Sequence, residues 1–315
     1  MNTVLILYSK DTIGDFLHKV IPLYFFLKQK KYTVKIKNTG SPLINIFIEK
    51  FKLIPDGKHS ITIDDLNLTF GKYRTSYNKQ FYGITFRKDL LAHFREVFYT
   101  ARKFPALNEI TINIGSLNKN RRKGNDNMLY QDRIADVIVS HPELSFNIVG
   151  LASELVSPKL DYIIKSSPQV LNFLDKTSLL DLINILFHSK LVIVRNTGIL
   201  HLAGLCNCPI LTFYANCSIL DNLAIFTGWR PDIVQNDEKT KENKRLYYTE
   251  KWSPLSENVT SIIEYRAYDE RYNRSVVDLV SKCLKGKPPT ATGSRRIFQI
   301  IFVLSLFLLY RIWTY

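Results

Sequence analysis

The chain holds 315 residues, 46% hydrophobic and 23% charged, a globular balance that excludes an intrinsically disordered protein and leaves room for two domains. Its 43 Lys and Arg against 28 Asp and Glu leave a formal charge of +15, which calls for an anionic partner (membrane lipid, phosphorylated glycolipid, nucleotide or nucleic acid) without choosing among them. The four cysteines, Cys206, Cys208, Cys217 and Cys283, lack the paired spacing of a zinc knuckle and suit small buried thiols in a reducing compartment.

Met1 to Tyr8 runs straight into an apolar strand, VLILY, without a basic leader region, so no secretory signal is expected. The polar turn Ser9-Lys10-Asp11-Thr12 leads into a helix with Ile13, Phe16, Leu17, Val20, Tyr24 and Leu27 on one face. Asp15, near the start of that helix, has two readings: an N-cap, for which Asp is a favoured residue, or a reactive carboxylate. Tyr32 to Ile36 reads as a second strand, residues 38–42 as a turn, and Leu43 to Phe51 as an amphipathic segment. Residues 60–95 read as short β-like stretches with tyrosines and the cations Lys72, Arg74, Lys79, Arg87 and Lys88. Those cations are either a solvated face or the contact for a phosphorylated ligand. A helix is expected from His93 to Lys103, broken by Phe104-Pro105, with a domain boundary near residue 105.

Ile110 to Ile114 is a strand, followed by Gly115-Ser116 and the basic run Lys119-Asn120-Arg121-Arg122-Lys123. A helix over 127–140 and a strand over 145–149 come next, and the strand ends at Gly150-Leu151-Ala152-Ser153-Glu154. The most informative stretch is Thr177 to Tyr214. Leu179, Leu180, Ile183, Leu186 and Phe187 recur at helical spacing. Leu191 to Val194 is an unbroken apolar run, as a strand buried on both faces requires. It stops at Arg195-Asn196-Thr197-Gly198, a short helix carries His201, and Pro209 starts another strand. A polar turn between a buried strand and a helix N-terminus presents N–H groups and a positive dipole end to an anion, so a phosphate site is expected there. Beyond it, 258–268 and 275–284 read as helices.

Residues 286–296 form a basic linker, and residues 297–315, IFQIIFVLSLFLLYRIWTY, a C-terminal hydrophobic helix. The stretch is short for a full span, but Arg311 suits snorkelling and Trp313 and Tyr315 suit an interface, so either spanning or lying half-inserted is open. Arg295 and Arg296 on its near side put the body of the chain in the cytoplasm.

Asn196-Thr197-Gly198 followed by Leu200-His201-Leu202-Ala203 resembles the Asp-Thr-Gly-Pro-x-His-Leu-Ala signature of bacterial lipopolysaccharide heptosyltransferases, glycosyltransferase family nine. Thr177-Ser178-Leu179 and Cys208-Pro209-Ile210 fall in register with that family's flanking elements. Ile13-Gly14-Asp15-Phe16-Leu17-His18, with Pro22 beyond, is similar to its first strand–loop–helix, Ile/Met-Gly-Asp-Val-x-x-x-x-Pro. Asn196 and Ile199 depart from the family's Asp and Pro.

The resemblance implies an α/β fold of two doubly wound Rossmann-like domains facing each other (GT-B): residues 1–105 on the acceptor side and residues 106–285 binding the nucleotide sugar. It implies an inverting, metal-independent transfer of a heptose-like sugar to a lipid-anchored saccharide such as lipopolysaccharide core. Asp15 is the implied catalytic base. Asn196, Thr197, Gly198 and His201 are the implied donor contacts, with Ser116, Lys119 and Arg121 near the diphosphate and Glu154 near the sugar. The register within residues 119–123 stays open. Ser9, Lys10 and His18 are assigned to the acceptor. No cofactor and no metal beyond the donor substrate are expected. The expected partners are a nucleotide sugar, a glycolipid and an anionic membrane, with no nucleic acid, at the cytoplasmic face of the inner membrane. The alternative, prompted by Asn196, is a membrane-tethered, catalytically weak protein that binds a sugar nucleotide or glycolipid.

Overall fold

The protein is described from a computed structural model covering residues 3–10, 12–55, 61–64, 79–104, 108–115, 126–215, 255–256, 259–264 and 277–283. It contains two all-parallel sheets. The first has the order β2-β1-β3, formed by β1 (Thr3–Tyr8), β2 (Thr33–Asn38) and β3 (Ile61–Ile63). Val4 pairs with Val34 on one side and Ile61 on the other, so β1 is central and the chain winds to both flanks.

The second sheet has the order β6-β5-β4-β7-β8-β9. Its strands are β4 (Ile110–Asn113), β5 (Phe146–Val149), β6 (Val170–Asn172), β7 (Leu191–Arg195), β8 (Ile210–Ala215) and β9 (Val259–Glu264). The chain leaves β4 in one direction, reaches β6, and returns to β4's other flank as β7. The winding therefore reverses between β4 and β7, and in open α/β sheets the crevice at such a reversal is where ligands bind.

Helix α1 occupies residues 13–29 in three stretches: Ile13–Asp15, a π-helical Phe16–Val20, and Ile21–Gln29. Pro22 explains the middle stretch. It has no N–H to give to the carbonyl four residues back, and its ring crowds that carbonyl. The chain widens one turn ahead, with the Ile21 N–H bonding Phe16 O instead. Helix α2 (Asn45–Lys50) follows a 3₁₀ turn at Pro42–Ile44, and α3 (Lys79–Phe98) packs on α1 and α2 through Phe25–Phe86 and Phe47–Phe94 ring contacts. The remaining helices are α4 (Asp126–Ser140), α5 (Pro158–Ser166), α6 (Leu179–Phe187), α7 (Gly198–Leu205) and α8 (277–283).

The continuous apolar run of β7 is accounted for by its two covered faces. Val192 and Val194 join one apolar cluster, and Leu191 and Ile193 join another. The second cluster holds Tyr130, Ile134 and Ile138 of α4 and Leu160 of α5. The first is shared between the two sheets: Phe16, Phe47, Phe94 and Phe98 from the amino-terminal half pack with Ile183, Leu186, Leu200 and Leu202 from α6 and α7.

Three elements differ from the sequence reading. Residues 259–264 form strand β9, parallel to β8, where a helix was expected. Val259, Thr260, Ile262 and Ile263 are β-branched, and that preference outweighs the helical spacing. The helix expected over 93–103 runs instead over Lys79–Phe98, so residues 79–95 of the expected β-like stretch are helical, and among its described residues only Ile61–Ile63 is a strand. Between Glu154 and Thr177, where the sequence reading assigned no element, lie a capped helix, α5, and an edge strand, β6. The linker, the hydrophobic tail and the basic residues Lys72 and Arg74 lie outside the described residues. Among the described residues no helix is long and apolar enough to cross a membrane.

Candidate active site

The C-terminal end of β1 begins the site. The Tyr8 hydroxyl donates to Thr12 O at 2.8 Å and the Thr39 N–H donates to Tyr8 O at 2.9 Å, which pins the turn carrying Ser9 and Lys10. Gly40 lies so close to this turn that a Cβ there would fall 2.2 Å from Lys10 O, so no side chain fits. Thr12, extended at φ −98°, is the N-cap of α1, and Asp15 is three residues further in. Asp15 is therefore not the cap. The Thr12 hydroxyl donates to Asp15 Oδ2 at 2.9 Å, and Lys19 Nζ pairs with Oδ1 at 2.7 Å. Burial pushes the Asp15 carboxyl up, but Lys19, the Thr12 hydroxyl and Lys10 outweigh it and hold the group below the usual carboxylate range. The carboxylate is therefore ionised at neutral pH, and its side chain is 23% exposed.

The second half of the site comes from the winding reversal. Asn113 ends β4, and Arg195-Asn196-Thr197 ends β7. Thr197 is the N-cap of α7 but its hydroxyl makes no cap bond; it reaches across the reversal to Asn113 Oδ1 at 3.5 Å. The Asn196 N–H donates to Phe213 O at 3.3 Å. Arg195 Nη1 donates to Asn127 Oδ1 at 3.3 Å, and its guanidinium lies 5.2 Å from the centre of the Tyr130 ring. At the end of β5, Glu154 is buried with Oε2 accepting from the Leu151 N–H at 3.3 Å. Its carboxylate packs against Gly115 and Gly150.

The two halves meet at two glycines. A Cβ on Gly14 would lie 3.2 Å from Gly198 Cα, and one on Gly198 would lie 2.7 Å from Ile13 Cγ2. One turn on, the His18 and His201 rings face each other with centroids 4.7 Å apart. Gly14 with Gly198, then His18 with His201, means that α1 and α7 run side by side in the same direction. Their positive ends thus sit together, next to Asp15 and the winding reversal. A helix N-terminus has N–H groups without intrahelical partners and roughly half a positive charge, a combination that favours an anion.

The structure thus brings together Lys10, Asp15, His18, Asn196, Thr197, Gly198 and His201, with Ser9 exposed at the end of β1. His18 and His201 are 2% and 3% exposed, so in this arrangement the rings seal the contact between helices. Burial pushes the His201 imidazole down to about 4, against the pull of the Asp15 carboxylate, so it is neutral at pH 7. Glu154 stands at the neighbouring strand end. Ser116, Lys119 and Arg121 lie outside the described residues. Sequence reasoning missed Lys19 and Asn113. Asn113 had a signal, a lone amide at the end of the apolar strand ITIN; Lys19 was hidden among the other lysines. Among the described residues no three His, Cys, Asp or Glu side chains gather as metal ligands do.

No family model and no curated protein matches the chain. Solved structures do. The glycosyl transferase family 9 protein from Veillonella parvula is 11% identical, with 90% of this chain and 98% of that one covered at a TM-score of 0.53. The E. coli heptosyltransferase WaaC with ADP is 11% identical, with 89% and 99% covered at 0.50. Identity this low speaks for the fold alone. The chain has the GT-B-like fold of two parallel α/β units, and the likeness falls on the family that the two sequence motifs resemble.

Proposed function

We propose that this chain is a glycosyltransferase that moves a sugar from a nucleotide-diphosphate donor to an acceptor hydroxyl with inversion, without a metal ion. The observation that carries the reading is the junction of α1 and α7, where an ionised carboxylate stands beside two helix N-termini at the winding reversal of the second sheet. Fold alone does not define chemistry; the residues at that junction do.

Cleavage of a sugar–phosphate bond leaves added negative charge on the departing diphosphate. Free N–H groups and a dipole fixed in advance stabilise that charge most when it forms. Thr197, Gly198 and the first turn of α7 are suited to it, with Asn196 and Asn113 at the rim and Glu154 facing the sugar. Asp15 takes the proton of the acceptor hydroxyl as the oxygen attacks the anomeric carbon. Ser9 and Lys10 border the acceptor. His18 and His201 touch substrate only if α1 and α7 part. A similar protein was solved with ADP. By that likeness and the motifs, an ADP-activated heptose-like donor is the first to try, and a lipid-anchored saccharide such as lipopolysaccharide core the first acceptor. The tail at 297–315 and the charge of +15 support a site of action at the cytoplasmic face of an anionic membrane.

A second reading is favoured by Asn196, which supplies no charge where the family carries Asp: a tethered protein that binds sugar nucleotide or glycolipid with little turnover. The full-length chain offered a panel of nucleotide sugars and a lipopolysaccharide acceptor, with and without EDTA, separates the two. Turnover insensitive to EDTA supports the transferase. Tight binding without turnover supports the second reading.

A further inference from the structure

We infer that Lys19 is a positioning residue for Asp15, holding one carboxylate oxygen so that the other receives the acceptor's proton; the inference rests on the reading of Asp15 as the base. The two oxygens of Asp15 have different partners. Oδ1 is paired with the Lys19 ammonium at 2.7 Å, and among the described residues Oδ2 accepts the Thr12 hydroxyl alone, at 2.9 Å. The ammonium pairs with Oδ1 and its charge lowers that oxygen's basicity, so Oδ1 is the poorer recipient. Oδ2 has two lone pairs and one neutral donor, so it keeps a site for an acceptor O–H.

The step balances as follows. The acceptor O–H bond breaks, its proton goes to Asp15 Oδ2, and its oxygen forms a bond to the anomeric carbon. The bond from that carbon to the diphosphate breaks, and the electron pair leaves on the phosphate. Lys19 remains an ammonium throughout. Its part is to keep Asp15 ionised before the step, in a place where burial alone would protonate it more readily. The groups facing Asp15 are Lys19 on α1, the Thr12 hydroxyl at its cap, Lys10 from the end of β1 and His201 from α7. His201 is neutral at pH 7 and leaves the balance to the lysines. Lys19 is only 17% exposed, so its pairing is sheltered from salt more than a surface pair.

The test compares full-length wild type, Lys19→Met, Lys19→Arg and Asp15→Asn. The acid limb of kcat/KM should move up by roughly one pH unit or more in Lys19→Met, with donor KM unchanged, and return in Lys19→Arg. A loss of kcat in Lys19→Met with the limb unmoved would mean a structural role only and would overturn the inference while leaving Asp15 as the base. If wild type turns over no donor, the reading of the site fails, and a second readout still decides the pairing. Protein labelled with ¹³C at the aspartate carboxyls gives the titration of Asp15, identified by its absence in Asp15→Asn. A higher midpoint in Lys19→Met then supports the ion pair alone, with the inference overturned by the missing turnover; in a protein that does turn over, a higher midpoint supports the inference and equal midpoints overturn it.

Discussion

The carboxylate of Asp15 and the imidazole of His201 carry the chemistry that can be tested one side chain at a time. Replacing Asp15 by Asn keeps shape and removes the base. Transfer should fall by about 10²–10⁴-fold with nucleotide affinity nearly unchanged, read as kcat against the dissociation constant of the donor. Equal losses in both would point to a role in binding. His201 gives a stability prediction with a defined sign. An unfolded imidazole titrates near 6.5, the folded one at about 4. Between those values the unfolded chain binds a proton that the fold does not, so stability rises with pH there and is lost as pH falls from about 6.5 to about 4, by on the order of 3 kcal/mol. Urea midpoints across that window should slope upward with pH in wild type and flatten in His201→Gln; an unchanged slope would place the acid sensitivity elsewhere. At this scale the sequence was readable where a motif surrounded the residue, as for Asp15 and Thr197. Lys19 was not, because its meaning depends on which of the Asp15 oxygens it reaches, and spacing does not encode that.

Helices α1 and α7 depend on glycine at their contact. A methyl on Gly198 would stand 2.7 Å from Ile13 Cγ2, so Gly198→Ala should cost about 1–3 kcal/mol through overpacking. Ile13→Ala in the same chain should recover part of that loss, because it removes the atom that is struck. Chemical denaturation of the two single variants and the double gives the coupling; strict additivity would show that the contact is looser than described. The helix–strand order of 177–214 was legible because a two-face-buried strand and a capped amphipathic helix leave unmistakable patterns. Ser178 shows it, with its hydroxyl accepting from the Asp181 N–H at 3.1 Å while Asp181 accepts from the Ser178 N–H at 3.2 Å. Residues 259–264 misled because apolar spacing in a short segment fits both periods; the β-branched residues and the pairing with β8 make it a strand. The π-helical turn of α1 follows from Pro22, yet its extent is a matter of packing.

Taken whole, the molecule joins its two halves through a shared core. Phe94 of α3 lies 6.2 Å from Phe187 of α6, ring centre to ring centre. The connection after α3 is strapped to the second half, with Asn184 Nδ2 donating to the Thr100 hydroxyl at 2.8 Å and to Ala101 O at 3.0 Å, and the Lys103 N–H donating to Asn184 Oδ1 at 3.0 Å. The two sheets should therefore lose structure in one transition, and Asn184→Ala should lower the midpoint of both. Hydrogen exchange of β1 and β7 followed through urea would check this, and separate midpoints would contradict it. The shared core was not visible in the sequence, because apolar positions on α3 and α6 look alike whether they face their own sheet or each other. On the proposed reading, the donor's identity is likewise not written in any one element. The junction of α1 and α7 is tested by the rate at which the full-length chain transfers sugar from each of a panel of nucleotide sugars, in wild type and in Asp15→Asn. Turnover of a donor by wild type, reduced at least about a hundredfold in Asp15→Asn while the donor still binds, is the expected result. Equal turnover in both proteins would contradict it.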